Sequence, residues 1–148
     1  MIELQESTKE DLKLFSSWEK LDGIREFICP YAFERHVEEF EKNEVTYLKI
    51  SFNAKPVGFV LLKLEDDERS VEFRRIVVIE RGKGIGQKVL NEIENYCLNK
   101  LKRKRIWLDV FEFNKRGIHI YKKQGYKMID EIDIDDKRAF VYEKLFDS

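Results

Sequence analysis

The spacing of apolar residues divides the chain into segments of helical period and segments of strand alternation. Residues 2–5 alternate and predict a short strand. Thr8 reads as an N-cap, with Glu10 and Asp11 opening a helix that carries Leu12, Leu14, Phe15 and Trp18 and ends near Leu21-Asp22-Gly23. Beyond a break at Cys29-Pro30, Phe33, Val37 and Phe40 form one apolar stripe of a second helix over residues 32–42.

The period then shortens. Residues 45–52 and 57–64 predict antiparallel neighbours joined through Asn53-Ala54-Lys55-Pro56, and a polar turn at residues 66–69 leads into a strand over 70–79. The second half of that strand, Ile76-Val77-Val78-Ile79, is continuously apolar, as expected of a strand covered on both faces and central to a sheet. A glycine-rich string follows, Arg81-Gly82-Lys83-Gly84-Ile85-Gly86, and then a helix to about Leu101 with Ile85, Val89, Leu90, Ile93, Tyr96 and Cys97 on one face. A strand over 105–112, a helix from about Lys115 to Lys123 closed by Gly125, and two strands near 126–134 and 138–146 turning at Asp135-Asp136 complete the pattern. The expectation is a mixed α/β (α+β) fold in a single domain over residues 1–148, without linker, repeat or low-complexity segment.

Composition narrows the function classes. Apolar residues make up 43% and charged residues 39%, which suits a globular protein with a charged surface. The 28 basic and 29 acidic side chains leave a formal net charge of -1, so no global field draws the protein to nucleic acid or to an anionic membrane, and neither is expected as a partner. The basic run over residues 100–105 is read as cations at a helix C-terminus. Cys29 and Cys97 lack metal-site spacing, so no metal is expected; with no leader-like N-terminus and no spanning apolar stretch, the reading is cytoplasmic.

The string at residues 81–86 changes the picture most. Glycines at 82, 84 and 86 expose backbone N–H groups at the positive end of a helix, a site suited to phosphate or pyrophosphate, although a merely tight strand-to-helix turn has the same composition. The spacing excludes both GxxxxGK[ST] and GxGxxG. What remains is R-x-x-G-x-G, which resembles the acyl-CoA loop of the GNAT superfamily of N-acyltransferases. Glu72 to Val78 resembles that family's central strand, and Asn114 to Tyr126 its Asn-x-x-Ala/Ser-x-x-x-Tyr-x-x-x-Gly-Phe pattern, with Gly117 in place of Ala or Ser and Tyr126 in place of Phe. Ile79-Glu80 stands where the family often has a proline.

The resemblance implies a mostly antiparallel sheet flanked by helices, with a splayed central strand that forms an acyl-CoA cleft. It also implies transfer of acetyl from acetyl-CoA to a primary amine by direct attack in a ternary complex. The cofactor-binding residues carried over are Ile76, Val77, Val78, Arg81, Gly82, Lys83, Gly84, Ile85, Gly86, Gln87, Asn114 and Tyr121. Among them, the Val78 N–H is expected to polarise the thioester carbonyl. Tyr121 is the expected acid for the leaving thiolate, with a packed core tyrosine as its bland alternative. Glu72 is the first expected base, against a simple ion pair with Arg74 or Arg75; Asp109, expected to be buried mid-strand with a raised pKa, is the second. His119 ranks third and is expected on the surface, and Asn114 equally suits a helix N-cap.

The acceptor, a small-molecule or protein amine, is not encoded in these motifs. Trp18, Phe27, Tyr31 and Phe33, among acidic residues over 19–39, suggest an aromatic and acidic acceptor pocket, against the alternative of a solvated helix face. A non-catalytic acyl-CoA sensor or a nucleotide-binding regulatory domain would use the same loop, and the pattern leaves room for a homodimer.

Overall fold

The computed structural model describes residues 1–82 and 84–146. In chain order these form β1 (Ile2–Glu6), α1 (Asp11–Glu19), a one-turn 3-10 helix (Arg25–Phe27), α2 (Phe33–Phe40), β2 (Val45–Phe52), β3 (Lys55–Leu64), β4 (Ser70–Val78), α3 (Ile85–Asn99), β5 (Arg105–Phe111), α4 (Lys115–Lys123), β6 (Lys127–Ile134) and β7 (Lys137–Leu145). Among the described residues the strands make one sheet in the order β1-β2-β3-β4-β5-β7-β6.

Local chemistry explains the boundaries, and in places it departs from expectation. Thr8 does not cap α1 by accepting a backbone N–H: the Asp11 carboxylate instead accepts from the Thr8 N–H at 2.9 Å and from its hydroxyl at 3.3 Å. Those bonds close the turn over residues 8–11 from which α1 starts at Asp11, with Glu10 at the N-cap position and no side-chain cap there. The β2–β3 hairpin is tighter than the sequence suggests, because Asn53 and Ala54 both take positive φ and let Lys55 pair with Phe52. Asp135 and Asp136 turn the β6–β7 hairpin in the same way.

The sheet has two antiparallel halves joined by one parallel pair, β4 with β5, whose crossover is α3. That pair holds only from Ser70↔Arg105 to Glu72↔Trp107. Past it, β4 carries a bulge: Leu61 pairs with Arg75 and Leu62 with Phe73, which leaves Arg74 extra. A bulge bends its strand and increases local twist. Here it coincides with the divergence of β4 from β5, and the two halves of the sheet open as a V.

Two cores cover the two faces. On one, α3 packs Ile85, Val89, Leu90, Ile93 and Cys97 against Leu48, Val60, Phe73, Ile106 and Leu108, with Ile118, Ile120 and Tyr121 of α4 at its border. On the other, α1 packs Leu12, Phe15 and Trp18 against Tyr47, Phe59, Leu61 and Val77. The Phe15 and Phe59 rings stack at 4.5 Å. No described helix is long and apolar enough to cross a membrane.

Candidate active site

The opening between β4 and β5 is a cleft of about 640 Å³. Its walls come from both faces: α3 and α4 border it on one side, and the 3-10 turn with the segment after it on the other.

The β4 wall offers backbone. The Ile79 N–H donates to the Val57 carbonyl at 2.7 Å, so by antiparallel alternation the N–H groups of Val77 and Ile79 point to β3 while those of Ile76 and Val78 point the other way. On that side β5 has already diverged, leaving the Val78 N–H and the Ile76 backbone facing the cleft. Val77 borders the cleft, but its backbone belongs to the β3 ladder and its side chain to the core.

The next turn is glycine-dependent for two different reasons. Gly82 (φ 86°) and Gly84 (φ 67°) adopt the left-handed conformation that glycine takes without penalty, and a Cβ at either would meet open space. Gly86 is helical; a Cβ there would lie 3.2 Å from Ile120 Cδ1, so its smallness lets α3 approach α4. The first turn of α3 holds no acidic side chain, which leaves the helix dipole free to attract an anion. Ile85 is a core residue. The Gln87 amide donates from Nε2 to Gln124 at 2.6 Å, which ties the start of α3 to the end of α4. Arg81 donates to the Gly23 carbonyl at 2.8 Å, tying the loop to the end of the α1 segment. Lys83 lies outside the described residues.

On α4, Asn114 caps the helix by accepting from the Gly117 N–H at 3.0 Å. Gly117 answers to that cap: a Cβ there would sit 2.7 Å from Asn114 Nδ2. Tyr121 borders the cleft, its ring edge-on to Tyr126 at 5.9 Å. Among the described residues no hydrogen bond engages its hydroxyl. Burial, with a smaller contribution from Asp109, pushes that hydroxyl up to about 12, so it stays protonated at neutral pH. His119 lies exposed.

Glu72 and Asp109 share one face of the sheet, since Glu72 is in register with Trp107 and Asp109 lies two residues further along β5. Both border the cleft. Glu72 is only 8% exposed and accepts from Arg74 at 3.0 and 3.2 Å, as an ion pair would. Burial nevertheless raises its pKa, against the pull of Arg74. Asp109 is not sealed in the strand as the sequence suggests. It is exposed toward the opening and has no hydrogen-bond partner among the described residues. Desolvation raises its pKa, and Arg74 and Arg75 oppose the rise.

The expected acceptor pocket is partly corrected. Trp18 is core and Phe33 packs beside it, whereas Phe27 and Tyr31 do line the cleft. The carboxylates of Glu19 and Glu39 are buried and paired with arginines. Sequence reasoning missed Arg75 and Asp135, which also border the opening; a bulge that turns Arg74 and Arg75 to one face leaves no periodic signal. The basic run over 100–105 is scattered: Arg103 donates to the carbonyls of Glu65 and Ser70, and Arg105 pairs with Glu143. Among the described residues no group of three or more His, Cys, Asp or Glu is arranged to hold a metal ion.

A family model described as the acetyltransferase (GNAT) family matches residues 7–126. The spermine/spermidine N(1)-acetyltransferase of Bacillus subtilis is 34% identical over 95 residues, which cover 59% of this chain and 62% of that protein's length. The spermidine N(1)-acetyltransferase of Vibrio cholerae is 28% identical over 142 residues, covering 80% of this chain and 82% of the relative. Among solved structures, the Vibrio cholerae spermidine N-acetyltransferase in complex with CoA and spermine superposes with a TM-score of 0.82 at 20% identity, over 97% of this chain and 95% of that one. The aminoglycoside acetyltransferase AAC(6')-Ib in complex with coenzyme A gives a TM-score of 0.81 at 19% identity, over 98% of this chain and 95% of that one, a likeness of fold.

Proposed function

We propose that this chain, which belongs to the acetyltransferase (GNAT) family, transfers acetyl from acetyl-CoA to a primary amine of a polyamine-like cation. The observation that carries the reading is the end of the β4–β5 ladder at Glu72↔Trp107, which among the described residues leaves the Ile76 and Val78 backbone without a strand partner on the β5 side, beside a glycine-rich helix start.

Acetyl-CoA, when bound, supplies an acetyl group activated as a thioester. The positive end of α3 and the Gly82–Gly86 turn suit its pyrophosphate, and open space beside Gly82 and Gly84 fits such a group. The Val78 N–H is a donor that no sheet partner occupies among the described residues, and it polarises the carbonyl at little reorganisation cost. Asp109 is favoured over Glu72 as the base that takes the acceptor's proton, because it is accessible and, among the described residues, without a hydrogen-bond partner, while Glu72 is held by Arg74. Glu72 then keeps Arg74 neutralised beside the incoming cation. The Tyr121 hydroxyl, still protonated at neutral pH, gives a proton to the departing sulfur.

Cation recognition is supported by four carboxylates along the opening, Glu72, Glu80, Asp109 and Asp135, and by the names of the relatives. A cytoplasmic setting suits the two free thiols, Cys29 and Cys97. The test is calorimetric titration with acetyl-CoA, repeated on Gly84→Ala, followed by thiol release on a panel of spermidine, spermine and kanamycin. Expected are binding that weakens about five- to thirtyfold in the variant, from αL strain of about 1–2 kcal/mol, and release that depends on spermidine or spermine. Binding without release on any amine would favour the sensor reading.

A further inference from the structure

We propose that Arg75 is a positioning residue for the acceptor: its guanidinium clamps the irregular segment 28–32 against β4 and so sets where the amine stands. This deepens the acetyl-transfer reading of the cleft and rests on it.

The bulge at Arg74 turns two successive arginines toward the α1/α2 face. Arg74 pairs with Glu72 and Glu39, and Arg75 runs beneath the segment that follows the 3-10 turn. Arg75 is only 8% exposed. Its Nη2 donates to the Cys29 carbonyl at 2.6 Å, its Nη1 is 3.2 Å from Glu19 Oε2, and its guanidinium lies 3.7 Å from the centre of the Tyr31 ring. Arg35 also stacks on that ring, at 4.2 Å. Glu19 Oε1 in turn accepts from the Tyr31 N–H at 3.1 Å and lies 2.8 Å from His36 Nε2, while His36 Nδ1 is 2.7 Å from the Tyr47 hydroxyl.

Ile28, Cys29 and Tyr31 border the same cleft as Ile76 and Val78 of β4. Among the described residues no backbone-to-backbone hydrogen bond joins residues 28–32 to the sheet. The segment therefore keeps its distance from β4 through side chains, and Arg75 is the group that touches both its backbone and its ring. A guanidinium combines a planar fork with a stacking face; an ammonium keeps only the charge.

Removing the charge would leave the buried Glu19 without its arginine partner, so Arg75→Ala can fail by unfolding. Arg75→Lys keeps the pairing with Glu19 but loses the fork and the stack, and Tyr31→Leu removes the stack from the other side. Both variants would be measured for acetyl-CoA affinity by calorimetry, for spermidine KM and kcat, and for amide exchange of residues 28–32. Expected are a spermidine KM raised about tenfold or more, as a displaced binding wall produces, acetyl-CoA affinity within about twofold of the parent, and faster exchange confined to 28–32. An unchanged KM with unchanged exchange overturns the proposal, as does a loss of both affinities with faster exchange throughout. If acetyl-CoA binds but no amine turns over in the parent, the acetyl-transfer reading fails by itself, and the exchange data then decide the clamp: faster exchange at 28–32 supports it and unchanged exchange overturns it.

Discussion

Desolvation raises the pKa of both Asp109 and Glu72, yet of the two only Asp109 is exposed and, among the described residues, without a hydrogen-bond partner. A base works deprotonated, so kcat/KM should climb as pH rises through the elevated pKa of Asp109. Asp109→Asn is expected to lower kcat about 10²-fold and remove that acid limb, whereas Glu72→Gln should lower the rate and keep the limb; the full pH–rate profile distinguishes them. The linkage sign is also testable. A folded-state pKa above the unfolded one means the folded protein binds more protons in that window, so Asp109 makes stability fall as pH rises through it, and Asp109→Asn should flatten the fall in denaturant titrations. Tyr121→Phe removes the proposed proton donor but not the packed ring. It should lower kcat about 10²-fold and leave acetyl-CoA affinity nearly unchanged in calorimetry.

Elements reached this geometry through caps and turns whose residues the sequence displays and whose reasons it hides. The glycines at 82, 84 and 86 read as one motif, but Gly82 and Gly84 answer to positive φ and Gly86 to the approach of Ile120. Gly117 reads as a weak point of α4 by helix propensity, although it leaves room for the Asn114 cap. Gly117→Ala should therefore not raise the melting temperature: about 1 kcal/mol of propensity gained is offset by about 1 kcal/mol of cap lost. A clear rise in thermal denaturation would mean that Asn114 re-caps without cost. Strand and helix order was legible because each element carries its own period, as the stripe Ile85, Val89, Leu90, Ile93 and Cys97 does for α3. The bulge at Arg74 was not, since an extra residue is defined only against a partner strand.

For the whole molecule, the cleft exists because two antiparallel half-sheets touch along three residue pairs and then part. A ligand that fills the gap between them stabilises the folded state alone. At a hundred times its Kd, acetyl-CoA should add about 2.7 kcal/mol, a rise of roughly 5–10 °C in melting temperature for a domain of this size. No rise at that concentration would count against a preformed site. The sequence by itself determined the order and type of the elements and the glycine turn at the start of α3, because periodicity, capping and spacing are local properties of a chain; its resemblance to the GNAT family marked Glu72, Asn114 and Tyr121 as candidates, and the apolar strand around Asp109 added that residue. Only the tertiary structure decided that Asp109 is open and Glu72 paired, that Trp18 is core and Tyr31 a cleft wall, and that Arg75 joins that wall to β4. Each of those depends on which distant residues share a face, and that is set by register, by a bulge and by the divergence of two strands.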